Sequence, residues 1–508
     1  MEKRIARLYS GELEGVDAKI VEIEADINVG LHAFNIVGLA DKALNEAKER
    51  VNSALKNTGV KPPNRENRKI TINLAPAAMR KTGSHYDLGI AIGYLLATKQ
   101  ITPFGTDDKL FLGELALDGR LRPVNGALNI AEQAAKRGFR FLFLPVENAN
   151  EASVIENIKV VPAETIGDVI AILEMRKIGN VVLHHKKIVA ASDALDLSEI
   201  RGQENAKRAL SIALAGGHNI LLVGPPGVGK SILARGAIGL LPPLGMNESI
   251  EVTKIWSAAG LTGDDLIRTP PFRAPHQSIS SVALLGGGAD PRPGEISLAH
   301  RGILFLDELP EFQRSTLESL RQPLEAGEVR IARMRQRLVL PAMFTLIAAM
   351  NPCPCGYYGD PSHECSCSAY EIIKYQKRIS GPLLDRIDIQ MKIGRVEMGE
   401  WDSETKELQT PALAQKIKKA REIQHERFSR KKESIKINAR MDAREAREFI
   451  KIDEGARSFL GAIGKETLSP RAYFRLLKTA RTIADLDCAA RVSEEHLAEA
   501  FSYRPHGL

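Results

Sequence analysis

Val21-Glu-Ile-Glu-Ala-Asp-Ile27 alternates apolar and polar residues, the period of a half-buried strand. Lys69-Ile-Thr-Ile-Asn-Leu74 predicts another strand in the same block. Leu44 to Leu55 instead spaces apolar and charged residues as a helix does, with Gly59 as a stop, and Leu88 to Leu96 reads as a buried helix. Residues 1–175 therefore mix strands and helices, and residues 176–197 turn irregular, with Val189 to Asp196 as a connector. A helix starts at Ile200-Arg-Gly-Gln-Glu-Asn-Ala-Lys207 and opens a block of residues 198–395 that holds three apolar strands: Asn219 to Val223, Gly302 to Leu306 and Phe344 to Met350. Residues 396–508 read as mostly helical, and the chain has no internal repeat and no low-complexity tract.

The first of those strands runs into Gly224-Pro-Pro-Gly-Val-Gly-Lys-Ser231, and Ile232-Leu-Ala-Arg-Gly-Ala follows as a helix opening. Strand, Gly-rich loop and helix in this order form a phosphate-binding loop. Its backbone N–H groups, along the stretch Gly224, Pro225, Pro226, Gly227, Val228 and Gly229 in which only the two prolines lack one, close around the phosphates. Lys230 reaches the β/γ oxygens and the Ser231 hydroxyl ligates Mg²⁺. The chain is expected to bind ATP.

The second strand ends in Asp307-Glu308, which supplies the other half of an ATPase site: Asp307 for the Mg²⁺ shell and Glu308 to polarise the attacking water. The third ends in Asn351, a polar group able to orient that water, as at the sensor position of AAA+ proteins. Arg386, in Gly381-Pro-Leu-Leu-Asp-Arg-Ile-Asp388, suits the finger that a neighbouring subunit inserts into such a site; a structural pair with Asp385 or Asp388 is the alternative. Ser469-Pro-Arg471 opens a helix, where Arg471 suits a second γ-phosphate sensor or is incidental to a Ser469 cap.

Length and composition add bounds. A chain of 508 residues predicts two to four domains, and 44% hydrophobic with 26% charged residues is ordinary for a globular protein. A net charge of +7 admits a nucleic-acid partner and equally a slightly basic surface. Leu413 to Arg440 carries many of the basic residues, as a solvated helical face or a nucleic-acid contact. No run approaches the roughly 18 apolar residues of a membrane span, and the N-terminus lacks a secretory signal. Five cysteines make no disulfide framework, so cytoplasm and no membrane partner are expected.

Gly286 to Phe312 resembles the signature of the magnesium-chelatase-like AAA+ ATPases, and within them the ComM/YifB family of competence proteins. Phe272 to His276, Asn351-Pro-Cys-Pro-Cys-Gly356, Gly381 to Asp388 and Phe34 to Ala40 fit the same family. The resemblance implies an α/β multidomain protein: an N-terminal Lon-protease-like α+β domain related to domain 2 of ribosomal protein S5, an AAA+ P-loop α/β core, and a C-terminal helical lid. It implies a homo-oligomeric, hexameric ring that hydrolyses ATP with Mg²⁺ and acts on single-stranded or branched DNA as a branch-migration helicase in natural transformation. Lys230, Ser231, Asp307, Glu308 and Asn351 would act in cis, Arg386 in trans and Arg471 from the lid. A chelatase-like or remodelling ATPase with a protein partner is the alternative.

Two segments look like inserts on that core. Residues 272–300 are rich in Gly and Pro, and residues 326–340 read as a hairpin with Arg330, Arg333, Arg335 and Arg337 near its tip. Those arginines suit DNA phosphate contacts lining a channel, or form a solvated basic turn. Cys353, Cys355, Cys365 and Cys367 fall within fifteen residues and suit a closed structural Zn²⁺ site, with His363 as a substitute ligand. Reduced free thiols and a redox role are the alternatives. Cys488, standing alone, is expected to be a buried small hydrophobe.

Lys81-Thr-Gly-Ser-His-Tyr-Asp and Gly113 to Ala127 resemble the Lon-type proteolytic domain. That family needs a Ser nucleophile and a Lys base. The motifs place His85 at the serine position and Leu128 at the lysine position, with Ser84 one residue away from the first. A binding or ring-stabilising module is expected in place of a protease.

Overall fold

The computed structural model describes residues 5–39, 41–65, 67–179, 195–261, 266–288, 291–332, 337–396, 409–429, 437–463 and 468–504. It divides into two compact units: Met1–Ile188 with Met246–Ile267 and Pro291–Pro293, and Val189–Gly245 with Arg268–Asp290 and Gly294–Leu508. The expected linker lies largely outside the described residues, as do Arg333 and Arg335.

In the first unit Ile5–Glu14 and Asp17–Val29 form an antiparallel hairpin, from Ile5 opposite Asp26 to Glu14 opposite Asp17. Arg68–Ala75 pairs with the outer side of Asp17–Val29, and Ala33–Val37 closes the sheet as a parallel edge strand. The alternation read from sequence does its work here: Val21, Ile23, Ala25 and Ile27 point inward while Glu22 and Glu24 stay partly exposed. The helices Ala47–Asn57 and Asp87–Ala97 cover the same core. A second, parallel sheet joins Lys109–Phe111, Phe141–Pro145 and Lys159–Ala163.

The helix Met246–Ala259 also belongs to this first unit, although in sequence it interrupts the block of residues 198–395. It lies against Ala127–Lys136. Lys254 Nζ pairs with Glu132 at 2.7 Å, Asn129 Nδ2 donates to Lys254 O at 3.1 Å, and the Gly126 N–H donates to Ser257 O at 3.1 Å.

The second unit is built on five parallel strands in the order Phe272–Arg273, Ile303–Leu306, Thr345–Met350, Ile220–Val223, Ile389–Lys392. The three central strands are buried at every position, which is why each reads as an apolar run, broken only by the buried Thr345. Their C-terminal ends lie side by side. A parallel sheet binds ligands at that edge, and all three motif loops leave from it.

C-terminal helices share one core with this sheet. His218 joins them to it, its Nε2 2.8 Å from Thr482 Oγ1 and its Nδ1 3.3 Å from Asp388 Oδ2. In the basic helix Gln409–Phe428, Arg421 donates to Leu214 O at 2.7 Å and Arg427 to Asp485 Oδ2 at 2.8 Å. Those two charges hold the fold, and Lys416, Lys418 and Lys419 remain exposed. No helix among the described residues is long and apolar enough to cross a membrane.

Candidate nucleotide site

The loop after Ile220–Val223 takes its shape from its glycines. Gly227 and Gly229 adopt φ of +81° and +90°, a region L side chains avoid. A Cβ on Gly224 would lie 2.3 Å from Ile393 O. Lys230 begins the following helix, Lys230–Gly236, and its ammonium meets three acceptors: Gly224 O at 2.6 Å, Pro225 O at 2.8 Å and Asn351 Oδ1 at 3.0 Å. Lys230 thus touches the residue that ends the third strand. The Ser231 hydroxyl donates to Asp307 Oδ2 at 2.6 Å, so the two oxygens expected to share Mg²⁺ already face each other. These hard oxygen donors fit that cation. Glu308 follows in a left-handed conformation, φ +50°, just past the end of the strand. Five expected residues, Lys230, Ser231, Asp307, Glu308 and Asn351, therefore meet at one sheet edge.

Burial pushes Lys230 down to about 8, against the pull of Asp307 and Glu308. A triphosphate at this position favours the charged form and raises the value again. ATP binding is therefore expected to take up a proton near pH 8 and to weaken as pH rises above that. Calorimetry in buffers of different ionisation enthalpy, at pH 6.5 and 8.5, reads this directly. Equal proton uptake at both would refute it.

A cavity of about 490 Å³ opens at the end of the fifth strand, lined in part by Arg201, Gly202, Gln203, Lys392 and Arg395. Gln203 has φ +60° and its amide donates to Gly394 O at 2.7 Å, tying the start of helix Glu204–Gly216 to the end of the fifth strand. Sequence reasoning saw a helix start at residues 200–207 and missed this wall. The Gly-Gln pair before that helix was the available signal.

The arginines lie elsewhere. Arg386 follows the short helix Gly381–Leu384, and Asn219 Nδ2 donates to its carbonyl at 2.8 Å. Asn219 precedes the strand whose other end opens into Gly224, a separation of roughly 17 Å at about 3.3 Å per residue. The Arg386 guanidinium bonds Glu325 and donates to Pro382 O at 2.8 Å, while its Nε has no partner. Neither Asp385 nor Asp388 is its partner, and Asp388 is engaged by His218. Arg471 acts on the same Glu325: Arg386 first, with Arg471 and Arg321 assisting, holds that carboxyl below its usual range. Arg471 lies in the first turn of helix Pro470–Leu486, where Ser469 caps the Ala472 N–H at 3.3 Å. Glu325 thus feels both arginines, Arg386 by a direct bond and Arg471 through its charge.

Comparison with known proteins decides the family. Residues 196–401 match the family described as magnesium chelatase, subunit ChlI; residues 23–148 match subunit ChlI of Mg-chelatase, and 407–504 its C-terminal region. Competence protein ComM of Haemophilus influenzae is 42% identical over 98% of this chain and 97% of its own length. The chain belongs to the magnesium-chelatase-like ComM/YifB family. The uncharacterized protein YifB of Escherichia coli is also 42% identical, over 96% of this chain and 95% of its own length. A Lon protease of Chloroflexus aurantiacus is 26% identical over 31% of this chain and 20% of its own length. Membership of the ComM/YifB family gives the chain an AAA+ ATPase role, with ATP and Mg²⁺ implied.

In this ComM/YifB chain the four cysteines Cys353, Cys355, Cys365 and Cys367 converge, all sulfurs lying within 4.8 Å of one another. Three Sγ–Sγ separations are 3.3, 3.5 and 3.7 Å. Four thiolates on one tetrahedral Zn²⁺ at about 2.3 Å would stand roughly 3.8 Å apart, so the donor set fits that ion. The Tyr357 backbone N–H, ahead of other hydrogen bonds, holds the Cys355 thiol down to about 5. His363 takes no part; its ring stacks on Tyr357 at 4.9 Å. Cys488 is exposed, not buried, because it takes the left-handed turn, φ +55°, that ends helix Pro470–Leu486.

The cysteine loop is tied to the ATP residues. A Cβ on Gly356 would lie 2.7 Å from Pro226 Cδ in the phosphate loop. The helix Ala369–Gln376 then crosses behind: Gln376 Nε2 donates to Pro352 O at 3.0 Å. Just beyond it, Arg378 donates to Glu311 at 2.8 Å in the turn after Glu308. Burial, then Glu311, Glu308 and Cys353, push Tyr375 up to about 12, with Arg378 opposing.

The expected basic hairpin forms, Glu328–Ala332 pairing antiparallel with Arg337–Pro341. Arg330 is exposed and pairs with Glu328 on its own strand at 2.6 Å. In the first unit, the residues of the protease-like motifs form a buried polar knot. Glu12 accepts from Thr82 Oγ1 at 2.9 Å and from the Tyr86 hydroxyl, and His85 Nε2 lies 3.8 Å away. Burial lowers both Lys81 and His85, with Glu12 opposing. Ser84 donates to the Glu114 carboxylate, and Leu128 is fully buried.

Proposed function

We propose that this chain hydrolyses ATP in a homo-oligomeric, hexameric ring and uses the energy to move single-stranded or branched DNA, driving branch migration of a recombination joint. The observation that supports a ring is the position of Arg386, near the end of the P-loop strand opposite its own Gly224. An arginine there serves a neighbour's γ-phosphate better than its own, and Arg471 acts as a second γ-phosphate sensor from the lid. In each site Lys230 and the loop N–H groups hold the phosphates, and Ser231 and Asp307 hold Mg²⁺, which supplies neutralisation of the developing charge. Glu308 takes the proton of the attacking water, and Asn351 orients that water. The cavity at Arg201 and Gln203 receives the base.

DNA enters the proposal through the hairpin of Arg330, Arg333, Arg335 and Arg337, whose guanidinium groups suit phosphates, and through a relative named a competence protein. Residues 1–175 serve as a non-proteolytic Lon-like module, since Leu128 stands where a base is needed. The test is ATP turnover with and without single-stranded and branched DNA across a salt titration. We expect stimulation that fades as salt rises. No stimulation and no salt-sensitive binding would move the assignment to a protein-remodelling partner, which the magnesium-chelatase description favours.

The cysteine cluster is assigned structural Zn²⁺. Denatured protein is expected to release one zinc per chain to a colorimetric chelator, and Cys353→Ser to release none. Because Gly356 packs on Pro226, the same variant is expected to bind ATP more weakly. Free titration of all four cluster thiols in the native protein, in addition to the exposed Cys488, would contradict the assignment.

A further inference from the structure

Arg386 can complete a neighbour's site only if its loop is held at a fixed height on the subunit surface. The helix before it, Gly381–Leu384, is a single turn, and the last carbonyls of a helix have no partner within it. Three carbonyls in succession, those of Asp385, Arg386 and Ile387, are met by two side chains from distant segments. Arg475 Nη1 donates to Asp385 O at 2.8 Å and to Ile387 O at 3.2 Å. Asn219 Nδ2 donates to Arg386 O at 2.8 Å between them. Asn219 is itself anchored. Its Oδ1 accepts the Leu346 N–H at 3.0 Å from the strand that ends in Asn351, and its carbonyl accepts the Asp388 and Ile389 N–H groups at 3.0 Å each.

The geometry points to Arg475 as a positioning residue for Arg386, one that also couples the finger to the lid. Arg475 stands one helical turn after Arg471 on Pro470–Leu486, so both face one side of that helix. Arg471 acts on Glu325, which also bonds the Arg386 guanidinium. One helix thereby holds the finger at its backbone through Arg475, and the charge of Arg471 favours the ionised form of the finger's carboxylate partner. A movement of the lid helix is transmitted to Arg386, while Asn219 keeps the loop in register with the strands bearing the P-loop and Asn351. This rests on the reading of Arg386 as a residue acting on the neighbouring subunit. The bonds are to backbone oxygens, so Arg475 acts through the finger loop.

The test uses full-length rings mixed from two variants. Arg475→Ala alone is expected to lower kcat roughly 10- to 100-fold, the cost of a misplacement near 1 Å, with KM for ATP little changed. Mixed with Glu308→Gln subunits, which carry a sound finger and a dead site, Arg475→Ala subunits should regain turnover. Mixed with Arg386→Ala subunits they should not, because both then lack a working finger. Recovery with Arg386→Ala, or unchanged kcat in the homogeneous ring, would overturn the role of Arg475. Arg386→Ala with Glu308→Gln is the control for the underlying reading. If that pair fails to recover, the trans action of Arg386 falls, and Arg475 with it; if it recovers and Arg475→Ala with Glu308→Gln does not, only the inference about Arg475 fails. Should Arg475→Ala not assemble, Arg475→Lys is read in the same mixtures, since it keeps the charge but not the planar NH₂ group spanning two carbonyls.

Discussion

Arg386→Ala lowers kcat by roughly 10³-fold or more, the range in which a transition-state arginine acts, while ATP still binds. The reason is spatial. Lys230, Ser231, Asp307 and Asn351 form a connected set within one subunit, joined by bonds of 2.6 to 3.0 Å. Arg386 is outside that set and bonds Glu325 and Pro382. Removing it leaves the phosphate loop untouched, so nucleotide titration should read near the unmodified affinity while steady-state turnover collapses. Equal loss of affinity would mean that Arg386 supports its own site. Glu325→Gln gives a milder companion result, because a free Arg386 loses its resting partner but keeps its loop.

Glu308→Gln is the second large effect: turnover falls roughly 10²- to 10⁴-fold, the contribution of a positioned general base, and ATP becomes trapped. The Glu308 carboxylate makes no hydrogen bond to Lys230, Ser231 or Asn351, although its charge pulls on Lys230. Its backbone N–H donates to Asp307 Oδ1 at 2.9 Å, which fixes the turn without using its carboxylate. The amide keeps the shape and loses the proton acceptor. Single-turnover quench of prebound ATP checks it; hydrolysis at the unmodified rate would remove Glu308 from the role of base. A loss of binding would point instead to a disturbed Asp307.

How far the sequence reads depends on whether the partner of a residue is local. The central strands are buried on both sides, so unbroken apolar runs such as Ile303–Leu306 mark them, and the P-loop announces itself through glycines that its φ angles require. The four cysteines are also local, and their convergence was foreseeable from spacing alone. The assignment of Met246–Ala259 to the first unit was not. Its contacts, Lys254 to Glu132 and Ser257 to Gly126, join segments far apart in sequence and use an ordinary ion pair and a backbone bond. Arg475 is invisible for a similar reason: it grips carbonyls, which every residue carries. His363 misled because a histidine near cysteines suits a ligand, whereas Tyr357 offered its ring a stacking partner. Cys488 misled because a lone thiol is usually buried, and here it serves as a helix-ending turn.

The central claim, that ATP hydrolysis in this ring moves DNA, is tested most directly on a three-stranded junction with one labelled strand. Purified protein with ATP and Mg²⁺ should drive the branch point along and release the labelled strand. Release should stop with a non-hydrolysable ATP analogue and with Glu308→Gln. An intact junction under conditions where ATP is turned over at full rate, unaltered by the DNA, would contradict the account.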